Sequence, residues 1–205
     1  MQNPNDLKTL FIGCHCDDIE LGCGGTIAKN PENVHCVVLS QKTIEGDPLC
    51  EISEKSLQSL GVRSSDFYDF SPSFFFKETQ QIWKILKSYD LDLFGTIITQ
   101  ESDHHQDHRD LFSICNRMFL GKNLLTYSAS ILSCPQFVPN LFVTLEQSHI
   151  EAKLAALKHY YMYQERSYFR KETILANLTT NGVIANHRYA EGFSVKRIVN
   201  ALPKF

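Results

Sequence analysis

Residues 13–26 have the sequence Gly-Cys-His-Cys-Asp-Asp-Ile-Glu-Leu-Gly-Cys-Gly-Gly-Thr. They follow an apolar run, residues 10–12, which predicts the end of a buried strand, and they lead into residues 26–29, which favour a helix. His15, Asp17 and Asp18 would then lie in a strand-to-helix turn, at the edge where open α/β sheets bind ligands. Because a catalytic zinc has three protein ligands and an open position, this turn supplies part of a metal site.

The rest of the chain alternates between apolar runs, polar turns and segments of helical spacing. The pattern predicts strands over residues 8–14, 34–39, 67–70, 94–99, 124–130, 141–145 and 189–195. It predicts helices over residues 20–30, 51–60, 80–89, 109–120 and 149–161, whereas residues 165–187 are mixed and polar. The alternation predicts an α/β protein, a single-domain Rossmann-like layered fold over residues 1–205 with a mostly parallel central sheet and helices on both faces.

Composition excludes several classes of protein. The net charge is -3 and no long basic run occurs, which argues against a nucleic-acid-binding protein. No apolar stretch reaches the roughly 20 residues that cross a bilayer, and residues 1–8 are polar, so we expect a cytoplasmic protein without stable membrane insertion. The seven cysteines include no CxxC pair, which predicts reduced thiols rather than a disulfide framework or a zinc ribbon.

A second polar turn follows the predicted strand over residues 94–99. It contains His105, Asp107 and His108, whereas His104 is expected to lie outside the site. The carboxyl ends of parallel strands meet at one edge, so this turn would approach the turn at residues 15–18. Two histidines and a carboxylate would form a His₂Asp site that suits zinc, with Fe²⁺ or Co²⁺ as alternatives.

Simpler explanations exist for each turn taken alone. Adjacent acidic residues are common at solvated helix N-termini, where the helix dipole favours them. Gly22, Gly24 and Gly25 are similar to a dinucleotide-binding fingerprint, but Ile27 stands where its last glycine belongs. The neighbouring acidic residues would also repel a pyrophosphate. The two turns at matching strand ends therefore favour a metal site over a nucleotide site.

Three segments match, in chain order, the signatures of one known family. Residues 13–26 match (A/G)-H-P-D-D-x-E-x-G-C-G-G-T with one extra residue, Cys14. Residues 105–108 match H-x-D-H, and residues 189–193 match Y-A-E-A-F apart from Gly192. The chain thus resembles the LmbE-like or PIG-L metal-dependent N-deacetylases, whose fold is similar to the layered fold predicted above.

The resemblance implies a reaction and a role for each residue. It implies that one Zn²⁺ per chain is bound by His15, Asp18 and His108, and that Asp17 is the general base. It further implies that a protonated His105, oriented by Asp107, stabilises the oxyanion or protonates the leaving amine. The implied reaction is hydrolysis of the N-acetyl group of a small-molecule N-acetylglucosamine-type sugar or conjugate, which releases acetate and a free amine.

The chain departs from the family pattern at two places. Cys16 replaces a proline that would stiffen the turn, and we expect it to be structural. Cys50 and Glu51 stand where the family carries an arginine shortly before Glu54. The change at residues 50 and 51 affects the expected substrate contacts rather than the metal site.

Two other functions remain open from the sequence. One is a non-catalytic nucleotide-sugar-binding module, and the other is a metal hydrolase that acts on another bond, such as a phosphoester. The second class commonly uses two metals and more carboxylates than the two turns contain. The aromatic segment at residues 71–76 also leaves assembly into a homo-oligomer open.

Overall fold

The centre of the molecule is one seven-stranded sheet. The structure, a computed structural model, describes residues 7–130 and 134–199, so most of the polar N-terminus considered above lies outside the described residues. The strands are β1 (Lys8–His15), β2 (Val34–Ser40), β3 (Ser65–Phe67), β4 (Phe94–Gln100), β5 (Asn123–Tyr127), β6 (Leu141–Thr144) and β7 (Ala190–Arg197). Their order is β3-β2-β1-β4-β5-β7-β6. The first five are parallel, and β7 runs antiparallel to both β5 and β6.

Helices cover both faces of this sheet. The described residues form α1 (Asp18–Lys29), α2 (Cys50–Ser59), α3 (Phe75–Ser88), α4 (Gln106–Met118), α5 (Gln147–Leu157) and α6 (Lys171–Ile184). Phe11 of β1 faces a core that α1, α2, α5 and α6 share, whereas Leu10 and Ile12 face the core beneath α3 and α4. Both faces of the central strands are buried, which explains their continuous apolar runs. The predicted fold class is confirmed.

The predicted bounds differ from the structure in several places. The strand β3 lies earlier than residues 67–70, α3 begins at Phe75 rather than at residue 80, and α5 ends at Leu157 rather than at residue 161. The helix α6 falls in the segment that the sequence left as mixed and polar. Its threonines and asparagines make the sequence of this helix look polar. Its buried face is narrow and includes the apolar residues Ile174 and Leu178.

The strand order sets the position of the site. The chain passes from β1 outward to β2 and β3, and then returns to the other side of β1 with β4. The C-terminal ends of β1 and β4 therefore lie side by side where the direction of winding reverses, and α/β sheets commonly bind ligands in such a crevice. No helix among the described residues is long and apolar enough to cross a membrane.

Candidate metal centre and active site

Both polar turns meet at this crevice. His15 is the last residue of β1, and Asp17 and Asp18 begin α1. His105 caps the N-terminus of α4, and Asp107 and His108 lie in its first turn. Among the described residues, two groups of donor atoms lie within 4.8 Å of one another, and both contain His108. One adds His15 and His105, and the other adds Cys14 and Asp18.

The spacing around Asp18 suits a metal ion. Its Oδ2 atom lies 3.3 Å from His15 Nδ1 and 3.7 Å from His108 Nε2. Ligand atoms of a tetrahedral zinc lie about 3.3 Å apart, which follows from Zn–N distances of about 2.05 Å. The expected ligands His15, Asp18 and His108 therefore provide a carboxylate between two imidazoles. This donor set fits zinc and other borderline divalent cations.

The charges at this point also favour a cation. Burial opposes protonation of His15, but its hydrogen bonds with Asp107 and Asp18 raise its pKa to about 10. Burial alone would raise the pKa of Asp18, but the charge of His108 and the hydrogen bonds from His15 lower it. The cluster thus holds positive charge beside ionised carboxylates. The same ionised carboxylates would also stabilise a divalent cation.

Two residues that the sequence analysis did not single out hold His108 in place. Asp103 Oδ2 accepts a hydrogen bond from His108 Nδ1 at 2.7 Å, and Gln100 Nε2 donates to His108 Nε2 at 3.0 Å. Metal-binding histidines usually donate their second ring N–H to a carboxylate, which fixes the tautomer and the ring orientation. Asp103 lies in the same polar turn as His105 and His108. An acidic residue in this turn was therefore the sequence signal that could have identified it.

The Asp107 carboxylate binds His15 and two backbone N–H groups, and it contacts His105 only through its own backbone N–H. Its Oδ2 atom accepts from His15 Nε2 at 2.9 Å and from the Ser73 N–H at 2.6 Å, and its Oδ1 atom accepts from the Phe75 N–H at 3.2 Å. The reason is that Asp107 points from α4 across to β1 and to the loop before α3. It fixes the ring of His15 and leaves Nδ1 of that ring facing Asp18.

His105 is arranged as a neutral hydrogen-bond donor rather than as the expected imidazolium. Burial and the charges of His15 and His108 lower its pKa. Its Nδ1 atom accepts a hydrogen bond from the Asp107 N–H at 3.2 Å. A neutral imidazole whose Nδ1 accepts carries its proton on Nε2. His105 therefore has one N–H available for a ligand.

Asp17 occupies a strained position in the first turn. Its φ angle is 98°, in the left-handed region that side chains other than glycine seldom adopt. Strain of this kind concentrates at functional sites. Burial and the charge of Asp18 raise the pKa of Asp17 well above its usual range. The two adjacent carboxylates thus have opposite pKa shifts, a common sign of different chemical roles.

The glycines after Asp18 serve close packing. A Cβ atom on Gly22 would overlap the ring of Tyr127, and one on Gly25 would overlap Leu145 Cδ1. Glu191, in the third matched segment, accepts hydrogen bonds from the Gly25 and Thr26 N–H groups at 2.9 and 2.6 Å. These contacts explain the glycine-rich run without a bound phosphate.

Glu191 also forms a buried ion pair that ties α1 to α5. Lys153 Nζ lies 2.5 Å from Glu191 Oε1 and donates to the Leu21 carbonyl at 2.6 Å. Both side chains are almost fully buried. The pair anchors α1, and with it Asp17 and Asp18, to the sheet and to α5.

Cys16 and His35, which the sequence analysis left outside the site, have structural surroundings. Cys16 is buried, and its Sγ–H donates to the Ser40 carbonyl at 3.6 Å. His35 contacts Ser64 at 2.6 Å and Asp66 at 3.0 Å, which ties β2 to β3. His104 is exposed and is in neither donor group. All seven cysteines are free.

The described residues enclose several cavities. A cavity of about 460 Å³ lies between α6 and residues 134–139, with Tyr168 and the Lys153–Glu191 pair in its wall. A second of about 460 Å³ includes Asp103 and Lys196, and a third of about 960 Å³ includes Lys42 and the loop after β2. The cavity that includes Asp103 also includes His104, so it lies against the second polar turn, and its volume suits a small-molecule ligand.

Comparisons with known proteins agree with this fold. No family model matches the chain. The chain is 25% identical over 177 residues to a protein named uncharacterized deacetylase YaiS from Escherichia coli K12, which covers 73% of this chain and 88% of that protein. Among solved structures it is similar to the conserved protein TT1542 from Thermus thermophilus, with a TM-score of 0.70, 21% identity and coverage of 96% and 97%.

Two other similar structures are named as deacetylases. The N,N'-diacetylchitobiose deacetylase from Pyrococcus horikoshii has a TM-score of 0.65 and 20% identity, with 92% of this chain and 83% of that chain covered. The zinc-inhibited form of teicoplanin deacetylase Orf2 has a TM-score of 0.72 and 13% identity, with coverage of 92% and 97%. The chain therefore has the fold of these proteins, and its sequence is similar to that of one curated protein named a deacetylase.

Proposed function

We propose that this chain is a single-domain, zinc-dependent deacetylase that hydrolyses the N-acetyl group of an N-acetylglucosamine-type sugar or conjugate. The observation that carries the proposal is the meeting of His15, Asp18 and His108 at one crevice, with Asp17 and His105 beside them. The deacetylases of the same fold and the three matched sequence segments support it.

In this proposal His15, Asp18 and His108 hold the metal, which as a Lewis acid polarises the amide carbonyl and makes water nucleophilic near pH 7. Asp103 and Asp107 are positioning residues, because each binds the second nitrogen of a histidine ligand.

Asp17 is the proposed general base. It is adjacent to Asp18 but belongs to neither donor group, so we assign it the proton of the attacking water. Burial makes it a stronger base than an exposed aspartate. The proton that it accepts is then available to the leaving amine, which must be protonated before the C–N bond breaks.

His105 is the proposed oxyanion donor. Its neutral ring would donate the Nε2–H to the carbonyl oxygen as negative charge develops there. A donor of this type contributes about 10²–10³ to kcat in other acyl-transfer sites. In the proposal the hydrogen bond from the Asp107 N–H keeps this tautomer.

The decisive experiment combines metal analysis with acetate release. Protein purified without chelator should contain about one zinc per chain and should release acetate from N-acetylglucosamine or N,N'-diacetylchitobiose. The Asp18→Ala variant should lose both the bound zinc and acetate release, and added zinc should not restore its activity. Wild-type protein that binds no metal after zinc is added would contradict the proposal and favour a sugar-binding module.

A further inference from the structure

The Cys14 thiol lies among the proposed metal ligands. Its Sγ atom, a carboxylate oxygen of Asp18 and a ring nitrogen of His108 lie within 4.8 Å of one another, and all three residues are buried. Sulfur and nitrogen ligands of a tetrahedral zinc lie about 3.6 Å apart, which follows from Zn–S and Zn–N distances of about 2.3 and 2.05 Å. Side-chain shifts of about 1 Å therefore suffice to bring these three donors onto one ion.

The backbone directs Cys14 toward α4. Cys14 belongs to the same core as Leu10 and Ile12, as expected for alternate residues of one strand. Gln100 joins the thiol-bearing residue to the imidazole of α4: its Oε1 atom accepts the Cys14 N–H at 3.2 Å, and its Nε2 atom donates to His108 Nε2 at 3.0 Å. One amide side chain thus holds Cys14 and His108 side by side.

Two other buried thiols have protein partners, whereas Cys14 has none. Cys16 Sγ donates to the Ser40 carbonyl at 3.6 Å, and Cys115 Sγ donates to Thr99 Oγ1 at 3.8 Å. Within residues 7–130 and 134–199, Cys14 Sγ makes no hydrogen bond. All seven cysteines lie in the described part of the chain, and Cys14 alone belongs to a group of metal donors.

A buried thiol becomes a ligand when a metal ion stabilises its anion. Without a metal such a thiol is neutral, because burial disfavours the thiolate. A coordinated divalent ion removes the thiol proton outright. Sulfur is also a softer donor than the imidazole nitrogens and the carboxylate oxygens of the site, so a thiolate changes which ions the centre favours.

We propose that Cys14 is a further ligand of the metal, which its Sγ atom binds together with Asp18 and His108, and that the centre therefore favours thiophilic divalent ions such as Cd²⁺. This inference rests on the metal centre of the proposed function. Cys14 is the extra residue of this chain within the first family signature, so the resemblance gives it no role. Catalytic zinc also expands to five ligands, so a thiolate beside the three proposed ligands is compatible with hydrolysis.

The test identifies the ligands directly, by spectroscopy of the loaded protein. The wild type, Cys14→Ala and the control Cys16→Ala are each loaded with Co²⁺ and, separately, with Zn²⁺. Cys16 flanks His15 on the other side and is also buried, but its thiol donates to Ser40 and is in neither donor group. Thermal unfolding establishes that both variants fold.

We expect the wild type and Cys16→Ala to show the intense near-ultraviolet band of sulfur-to-cobalt charge transfer. Cys14→Ala should lose this band and should still bind cobalt through His15, Asp18 and His108. A band that persists in Cys14→Ala, or a wild type that binds cobalt without the band, would overturn the inference.

X-ray absorption by the wild-type zinc protein needs no variant, so it applies even if Cys14→Ala fails to fold. It should show a sulfur ligand at about 2.3 Å beside nitrogen and oxygen ligands at about 2.0–2.2 Å. Bound zinc with nitrogen and oxygen ligands alone would overturn the inference.

Competition between Cd²⁺ and Zn²⁺ tests the preference for softer ions. Cys14→Ala should lower the ratio of the Cd²⁺ affinity to the Zn²⁺ affinity, because it removes the soft donor, whereas Cys16→Ala should keep the wild-type ratio. An unchanged ratio in Cys14→Ala would contradict this preference.

These measurements separate the inference from the proposed function. Zinc-dependent acetate release by a protein whose metal has no sulfur ligand would support the function and overturn the inference. A sulfur ligand in a protein that releases no acetate would support the inference and contradict the function. A wild type that binds neither zinc nor cobalt would overturn both.

Discussion

At the scale of single residues, the first turn of α1 gives two identical side chains different chemistry. Asp18 folds back so that its Oδ2 atom accepts the His15 N–H at 2.7 Å and contacts both histidine rings. Asp17, one residue earlier, has φ at 98° and is buried beside Asp18. In our proposal this difference separates the metal ligand Asp18 from the general base Asp17.

This difference leads to the first prediction. Asp17→Asn should lower kcat by about 10²–10⁴, the usual contribution of a general base, and should keep zinc. Asp18→Asn should lose zinc, because it removes the charge between the two histidines. Acetate release and elemental analysis on the same preparations measure both quantities. Zinc loss in Asp17→Asn equal to that in Asp18→Asn would show that the roles are assigned wrongly.

The second prediction concerns Asp103, which binds the outer nitrogen of His108. Asp103→Asn should weaken zinc binding by about 10-fold to 100-fold, as for other carboxylates behind metal-binding histidines. The control is His104→Asn, a change at the next residue, which is exposed. Competition with a zinc chelator gives the affinities. The same zinc affinity in both variants would show that Asp103 does not support zinc binding.

At the scale of elements, α1 is the piece on which the site depends, and its glycines set its distance from the sheet. Gly22→Ala should destabilise the protein by about 1–3 kcal/mol, because the new methyl group would overlap the Tyr127 ring. Gly121→Ala is the matched control, since nothing lies within 4 Å of its Cβ position. Urea unfolding measures both. Equal stability of the two variants would show that α1 can shift freely.

The buried ion pair under α1 gives a fourth prediction. Lys153→Met should destabilise the protein by about 3–5 kcal/mol, because Glu191 would remain as an unpaired buried charge. The double variant Lys153→Met/Glu191→Gln should recover part of this loss. Lys55→Met, which removes an exposed pair with Glu51, should change the free energy of unfolding by less than about 1 kcal/mol. Additive losses in the double variant would contradict this account.

At the scale of the whole molecule, the two cores bury nearly every thiol. Among the seven cysteines only Cys50 is more than marginally exposed. A thiol reagent should therefore label about one cysteine per chain in the native state and all seven in urea, since burial raises the pKa of thiols and blocks access. Peptide mapping should find the native label at Cys50. Rapid native labelling at Cys14 would mean that the metal cluster opens to solvent.

The local hydrophobic pattern of the sequence predicted much of the fold. Apolar runs of four to eight residues located all seven strands within a few positions, because buried parallel strands leave a strong local signal. The elements that the sequence predicted poorly are those that tertiary packing stabilises. The helix α6 is partly polar in sequence and is held by β7, and the start of α3 is held by the hydrogen bonds from Ser73 and Phe75 to Asp107.

The types of donor and their places at two strand ends follow from the sequence alone, because β1 and β4 end where their apolar runs end. The partner of each donor required the tertiary structure. The Asp107 carboxylate binds the ring of His15 rather than that of the nearby His105, and the Asp103 carboxylate binds His108 of α4. Sequence spacing cannot decide such pairings. They depend on the angle at which α4 meets β1 and on which carboxylate that angle places against each ring.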